Sequence, residues 1–294
     1  MRRTFTIHHL AFTIALSWPS ATRALPAGDV ERGRVIFALA GGCSCHTPAD
    51  GPVGAGGGEV PTPFGTFYGT NITPDPETGI GKWSDAEIES AIRDGYARDK
   101  GVEAPAMPYY LYAGMADRDV GDLIAYLRAL PAVARPNEPH KAQLPLARWA
   151  YRAWRLVFAP SVSAPETAPS AELERGRYLA DHVGICNDCH TPRTRFGAPD
   201  LSMYLAGAVV GPDQIAPNIT PDETGIGDWD RDDIVNVLSL GMLPDFDNVQ
   251  GLMAEVVDGH GGGPGYKDAP NSDRRAIAAY ITSVPPIDNK LADK

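Results

Sequence analysis

Four cysteines in 294 residues fall into two pairs, and a histidine directly follows each pair: Cys43, Cys45, His46 and Cys186, Cys189, His190. The chain around them repeats itself. Glu31-Arg32-Gly33-Arg34 matches Glu174-Arg175-Gly176-Arg177, and counting forward puts Cys43 opposite Cys186. His46-Thr47-Pro48 matches His190-Thr191-Pro192, and Asn71-Ile72-Thr73-Pro74-Asp75 matches Asn218-Ile219-Thr220-Pro221-Asp222. Thr78-Gly79-Ile80-Gly81 with Trp83 matches Thr224-Gly225-Ile226-Gly227 with Trp229, and Tyr126 to Pro131 matches Tyr280 to Pro285. An internal repeat constrains a fold before any local detail does. A duplicated domain carrying a duplicated site is the simplest account of it.

The second cluster, Cys186 to His190, has the Cys-x-x-Cys-His spacing by which haem is attached. Two thiols at that separation meet the two vinyl groups, and the adjacent histidine reaches the iron from the same side. Disulfides, a zinc site or a redox dithiol are the competing uses of four cysteines, and this cluster argues against them. The first cluster has one residue between its cysteines instead of two. Its place in the repeat identifies it as the same site with a deletion inside the attachment loop.

The length allows two domains of roughly 100–130 residues each. The sequence divides into an export signal over 1–24, a first domain over 25–135, a linker over 136–170 and a second domain over 171–294. Arg2 and Arg3, a short apolar run from Leu10 to Trp18, and small residues at Thr22 and Ala24 make the signal. Each half reads as mostly α. A helix precedes the cysteines (about 29–41 and 171–183), an irregular stretch holds the Asn-Ile-Thr-Pro motif, and second helices start at Ser84, with Glu87 in capping-box position, and at Asp230. Val120, Leu123, Ile124 and Leu127, and likewise Ile277, Tyr280, Ile281 and Val284, share one face of a last helix. The linker carries Trp149, Tyr151, Trp154 and Phe158 among three arginines, which reads as a helix packed across both domains or as a docking surface.

A haem iron held by one histidine needs a second axial ligand for electron transfer, and methionine is the usual one in cytochromes c. Met107 lies 24 residues after Trp83 and Met253 lies 24 residues after Trp229. Met115 and Met242 compete with them. His260 offers a bis-histidine alternative to its reading as a surface-loop residue, while His140 and His182 read as solvent-facing.

Together these residues resemble the class I cytochrome c fold, and more narrowly the cytochrome c subunits of periplasmic alcohol, aldehyde and gluconate dehydrogenases. The resemblance covers about 28–135 and 171–290, and is most specific at Cys-x-x-Cys-His-Thr-Pro, Asn-Ile-Thr-Pro-Asp and Met253-Ala254-Glu255-Val256-Val257. It implies two tandem cytochrome c-like domains joined by a linker with a helical segment, and two haems c. His46 and His190 would be the proximal ligands, Met107 and Met253 the distal ones, and Cys43, Cys45, Cys186 and Cys189 the attachment points. Cys45 keeps the normal geometry for one thioether beside His46; the shortened loop leaves Cys43 open.

The formal charge is −11, and the leader takes three arginines with it, leaving the mature chain near −14. Such a surface excludes nucleic acid and points to a partner with a basic docking patch. The partners implied are a dehydrogenase subunit and another cytochrome or terminal oxidase, with membrane association peripheral if any. Function is then electron transfer in the periplasm without catalysis. The alternative is a dihaem enzyme, peroxidase-like or thiosulfate dehydrogenase-like, with one iron open to substrate. A redox or haem sensor would need a signalling module that the sequence lacks.

Overall fold

The computed structural model describes residues 25–48, 51–98, 101–142, 148–158, 171–211 and 214–291. The signal segment and residues 143–147 and 159–170 of the linker lie outside the described residues.

In the first half, α1 (Val30–Leu39) leads into a tight 3-10 turn (Gly41–His46) that carries the first cysteines. The hairpin β1 (Glu59–Thr62) and β2 (Gly65–Tyr68) follows, then α2 (Asp85–Glu89). The short pair β3 (Tyr96–Ala97) and β4 (Gly101–Val102) leads to α3 (Tyr109–Tyr112) and α4 (Asp117–Ala129). β5 (Lys141–Ala142) pairs antiparallel with β2, so the chain beyond Pro136 stays against the first half for several residues before leaving it. The linker helix is α5 (Arg148–Phe158).

The second half repeats the order. It has α6 (Glu172–Tyr178) with a π turn through Val183, α7 (Cys186–His190), and the hairpin β6 (Ala208–Gly211) and β7 (Gln214–Ala216). Next come α8 (Arg231–Leu240), α9 (Gly251–Asp258) and α10 (Asn271–Ile281). The capping signals act where the sequence puts them. Ser84 and Glu87 cap α2 reciprocally, and Asp230 and Asp233 do the same for α8, each pair satisfying two N–H groups that a helix start leaves without partners.

In each half the first helix crosses the last at a glycine. A Cβ on Gly33 would lie 1.9 Å from the carbonyl oxygen of Asp122, and one on Gly176 would lie 1.8 Å from that of Ala276. Only a residue without a side chain lets these backbones meet. The apolar faces read from the sequence are the ones buried: Val120, Leu123, Ile124 and Leu127 of α4, and Ile277 and Ile281 of α10. Each such side chain contributes roughly 1.5–3 kcal/mol relative to exposure. Val284 is also buried, but just beyond the end of α10.

The two halves share one core. Phe37 and Leu39 of α1 belong to the same buried cluster as Tyr178, Leu179 and Val183 of the second half. At the junction the Tyr178 hydroxyl donates to Asp119 at 2.7 Å and accepts the Ala116 N–H at 3.0 Å. α5 lies across both halves, as one of its two sequence readings has it. Trp154 donates from Nε1 to the Phe196 carbonyl at 2.8 Å while its ring packs on Tyr110, and Arg155 pairs with Asp94. Leu156 and Val157 of the same helix remain exposed. Among the described residues, no helix is long and apolar enough to cross a membrane.

Candidate haem-attachment sites

The second attachment loop begins at Ile185, held in the left-handed region at φ 42°. A β-branched residue is uncommon there, and this strained turn starts the one-and-a-half turns of α7 that carry Cys186, Cys189 and His190. Thr191 is completely buried, and its Oγ accepts the Leu205 N–H at 3.0 Å. The Nδ1 of His190 lies 2.8 Å from the carbonyl oxygen of Pro217. A carbonyl only accepts, so Nδ1 carries the proton and Nε2 keeps its lone pair. Burial lowers the pKa of this ring, which favours the neutral form that a metal ligand needs. A histidine whose second nitrogen is tied to a carbonyl is the usual arrangement of a metal-ligating imidazole.

The first half repeats this geometry. The Nδ1 of His46 lies 2.7 Å from the carbonyl oxygen of Thr70, and the buried Thr47 accepts the Gly54 N–H at 3.1 Å. The shortened loop differs at its start. Gly41, Gly42 and Cys43 are all left-handed, at φ 67°, 64° and 47°. Two glycines take most of the turn that Ile185 takes alone, and the deletion is absorbed at Cys43. Cys45 keeps its place beside His46.

The Asn-Ile-Thr-Pro motif explains why both carbonyls are aimed correctly. Asn71 accepts the Thr73 N–H at 2.9 Å and the Thr73 hydroxyl at 2.7 Å, and donates to Thr78 Oγ at 3.0 Å and the Val133 carbonyl at 2.8 Å. Asn218 makes the same set with Thr220, with Thr224 and with the Ile287 carbonyl, the last at 2.8 Å. Each asparagine ties its loop to the strand of chain that leaves the last helix. The residue before each, Thr70 or Pro217, supplies the carbonyl for the histidine. Sequence reading passed over these two positions because a backbone acceptor has no residue-type signature; adjacency to a repeated motif was the available signal.

The thiols of Cys45 and Cys189 keep accessible surface although protein surrounds them deeply enough to raise both pKa values, that of Cys189 to about 12. Burial also pushes Cys43 and Cys186 up to about 12. Dithiol exchange depends on the thiolate, which burial disfavours here. Accessible Cys45 and Cys189 thiols, each beside a histidine that holds Nδ1 against a carbonyl oxygen, fit covalent haem.

Met107 is half-buried on the bend before α3, and Met253 is half-buried on α9, packed against the core. Met115, its competitor in the first half, is fully buried in the core, and Met242 lies in a bridge to Asn248. His140 is exposed, as read from the sequence, and accepts the Tyr68 N–H at 3.2 Å. His182 is not solvent-facing: its Nδ1 lies 3.0 Å from the Leu111 carbonyl oxygen and its ring covers Gly114, so it belongs to the junction between halves. His260 is no free surface histidine either, since its Nδ1 is 3.0 Å from Glu255 and its side chain is only 14% exposed.

A helical scaffold that repeats a thiol pair, a histidine and a carbonyl partner for that histidine defines a haem-binding electron carrier. Residues 30–131 match the family model for cytochrome c. A protein from Cereibacter sphaeroides named diheme cytochrome c-type is 41% identical over 272 residues, covering 89% of this chain and 88% of that one. The cytochrome c subunit of alcohol dehydrogenase (quinone) from Gluconobacter oxydans is 35% identical over 269 residues, 88% of this chain and 55% of the subunit. The cytochrome c subunit of gluconate 2-dehydrogenase from Pantoea cypripedii is 38% identical over 271 residues, 87% of this chain and 59% of the subunit. The chain therefore spans little more than half the length of these two subunits. It belongs to the cytochrome c family; it binds haem c covalently and transfers electrons rather than transforming a substrate.

Proposed function

We propose that the chain carries two haems c, one in each half, and relays electrons from a dehydrogenase subunit to another cytochrome or a terminal oxidase in the periplasm. The observation that carries this reading is the recurrence of the histidine geometry. His46 and His190 each hold Nδ1 against a carbonyl within 2.8 Å, and each is adjacent to an accessible thiol. Haem supplies a one-electron Fe(III)/Fe(II) couple whose potential depends on axial ligands, hydrogen bonds and burial.

In this reading Cys186 and Cys189 attach the second haem and Cys45 the first, while His46 and His190 provide the proximal nitrogens. Met107 and Met253 provide the distal sulfurs. The half-buried position of Met107 supports this in the first half, because the fully buried Met115 has no surface to offer; Met253 is supported by its matching register after Trp229. The tandem-domain division, with domains at 25–135 and 171–294, is supported by the two glycine crossings and the two asparagine clusters. The dehydrogenase partner is supported by the names of the relatives, and the periplasmic site by the character of residues 1–24. The acidic mature chain suits a partner with a basic face.

Carbon monoxide distinguishes this reading from a dihaem enzyme. With both axial positions filled at both sites, the reduced protein keeps its visible spectrum when the gas is added. A rapid spectral change at one haem would contradict the carrier reading and favour a reactive site.

A further inference from the structure

Met107 sits in a tight turn: its N–H donates to the Ala104 carbonyl at 3.0 Å, and its own carbonyl accepts the Tyr109 N–H at 2.8 Å. The three residues that follow Pro108 are each held from beyond the first half. The guanidinium of Arg155, on α5, lies 5.7 Å from the centre of the Tyr109 ring. The Leu111 carbonyl oxygen faces His182 Nδ1 at 3.0 Å. Tyr110 is 8% exposed; its ring packs on Trp154 and its hydroxyl accepts from Arg193 Nη1 at 2.6 Å.

Arg193 is fixed at its other edge. Its Nη2 donates to the Asp188 carbonyl at 2.8 Å and also to the Asp188 carboxylate, which lies 3.5 Å from the Tyr110 hydroxyl. A planar guanidinium shared among three acceptors is held in one orientation. Asp188 stands between Cys186 and Cys189, so this link runs from the second attachment loop to the segment just after Met107.

The reciprocal contact lacks every part of the link. Counting from Met107 and Met253, Val256 stands opposite Tyr110. Counting from His46 and His190, Ala49 stands opposite Arg193, and Ser44 alone fills the place of Asn187 and Asp188. There α9 meets the first attachment loop through an apolar contact, and a Cβ on Gly41 would lie 3.4 Å from Cγ2 of Val256. Guanidinium, carboxylate and phenol occur together in one place and are replaced together in the other.

We propose that Arg193, a residue of the second half, is a positioning residue of the first haem site: it clamps Tyr110 and thereby holds Met107 where its sulfur serves as distal ligand. This rests on the reading of Met107 as that ligand. A thioether on a loose segment leaves the iron more often than one on a segment already held in its bound place. Arg193 touches neither haem iron nor sulfur; it acts by keeping the open state of the first site rare. The second site, whose distal segment lacks the clamp, does not depend on it.

The test is the rate at which carbon monoxide binds the reduced, haem-loaded mature protein. The gas enters only when the sulfur has left, so its rate follows the population of the open state. Met107→Ala sets the reference, with one haem reacting fast and the other slowly. Arg193→Gln is expected to speed one haem about tenfold and, in the Met107→Ala background, to leave the second haem slow. Tyr110→Phe keeps the ring on Trp154, loses only the hydroxyl, and is expected to give a smaller rise at the same haem. Should Arg193→Gln fail to retain both haems, Tyr110→Phe decides the matter. Wild-type rates in these variants overturn the clamp, and so does an Arg193→Gln that opens the second haem in the Met107→Ala background. A Met107→Ala protein with both haems slow overturns the distal-ligand reading itself, which is a distinct result.

Discussion

The hydroxyl of Tyr178 donates to the carboxylate of Asp119 across the junction of the two halves, at 2.7 Å, and Arg175 approaches the same carboxylate at 3.7 Å. Burial raises the pKa of Asp119, against the lowering influence of Tyr178 and Arg175. The folded protein therefore holds this proton to higher pH than the unfolded chain does. Its contribution to stability is complete below the ordinary aspartate value, about 4, and is lost as pH rises through the folded-state value. Asp119→Asn should flatten that part of the pH profile. Asp119→Ala leaves the Tyr178 hydroxyl without its acceptor and should cost about 1–3 kcal/mol. Urea unfolding at acid and neutral pH checks both.

The glycine crossings predict steep intolerance to a single methyl group. Gly33→Ala and Gly176→Ala each drive a Cβ into a facing carbonyl, and the helices must separate to accept it. Overpacking of this kind costs about 1–3 kcal/mol. Thermal unfolding should show a loss of that size in each variant, and no loss would mean that the helices do not cross where described.

Asn71 and Asn218 aim the carbonyls that orient the two histidines. Asn218→Ala should cost about 1–3 kcal/mol through unsatisfied buried partners and change the spectrum and potential of the second site alone. Asn71→Ala should do the same for the first. Visible spectra and potentiometry on each variant read the two sites separately.

The shortened loop predicts an asymmetric attachment. Cys45 has an accessible thiol beside His46, whereas Cys43 is left-handed and packed against the core. Cys43→Ala should leave the first haem covalently bound, and Cys45→Ala should release it on denaturation. Peptide mass mapping after denaturation decides between the two outcomes.

Much of this was legible in the sequence. The helix starts at Ser84 and Asp230, the buried faces of α4 and α10, and the pairing of each histidine with its cysteines follow from local patterns that the fold keeps. What escaped were relationships between distant segments. His182 reads as a polar residue near a helix end, but the other half's Leu111 and Gly114 close over it. The shared core could not be read either, since the amphipathic face of α1 looks the same whether it meets one partner helix or two.

The most direct test of the two-site account is haem stoichiometry: a pyridine haemochrome assay with intact mass on the mature protein, produced with haem-attachment machinery. The account predicts two haems per chain, with both cysteine-bearing segments shifted in mass. A single haem, with the segment carrying Cys43 and Cys45 unmodified, would contradict it and leave the first half a structural partner of a one-site carrier.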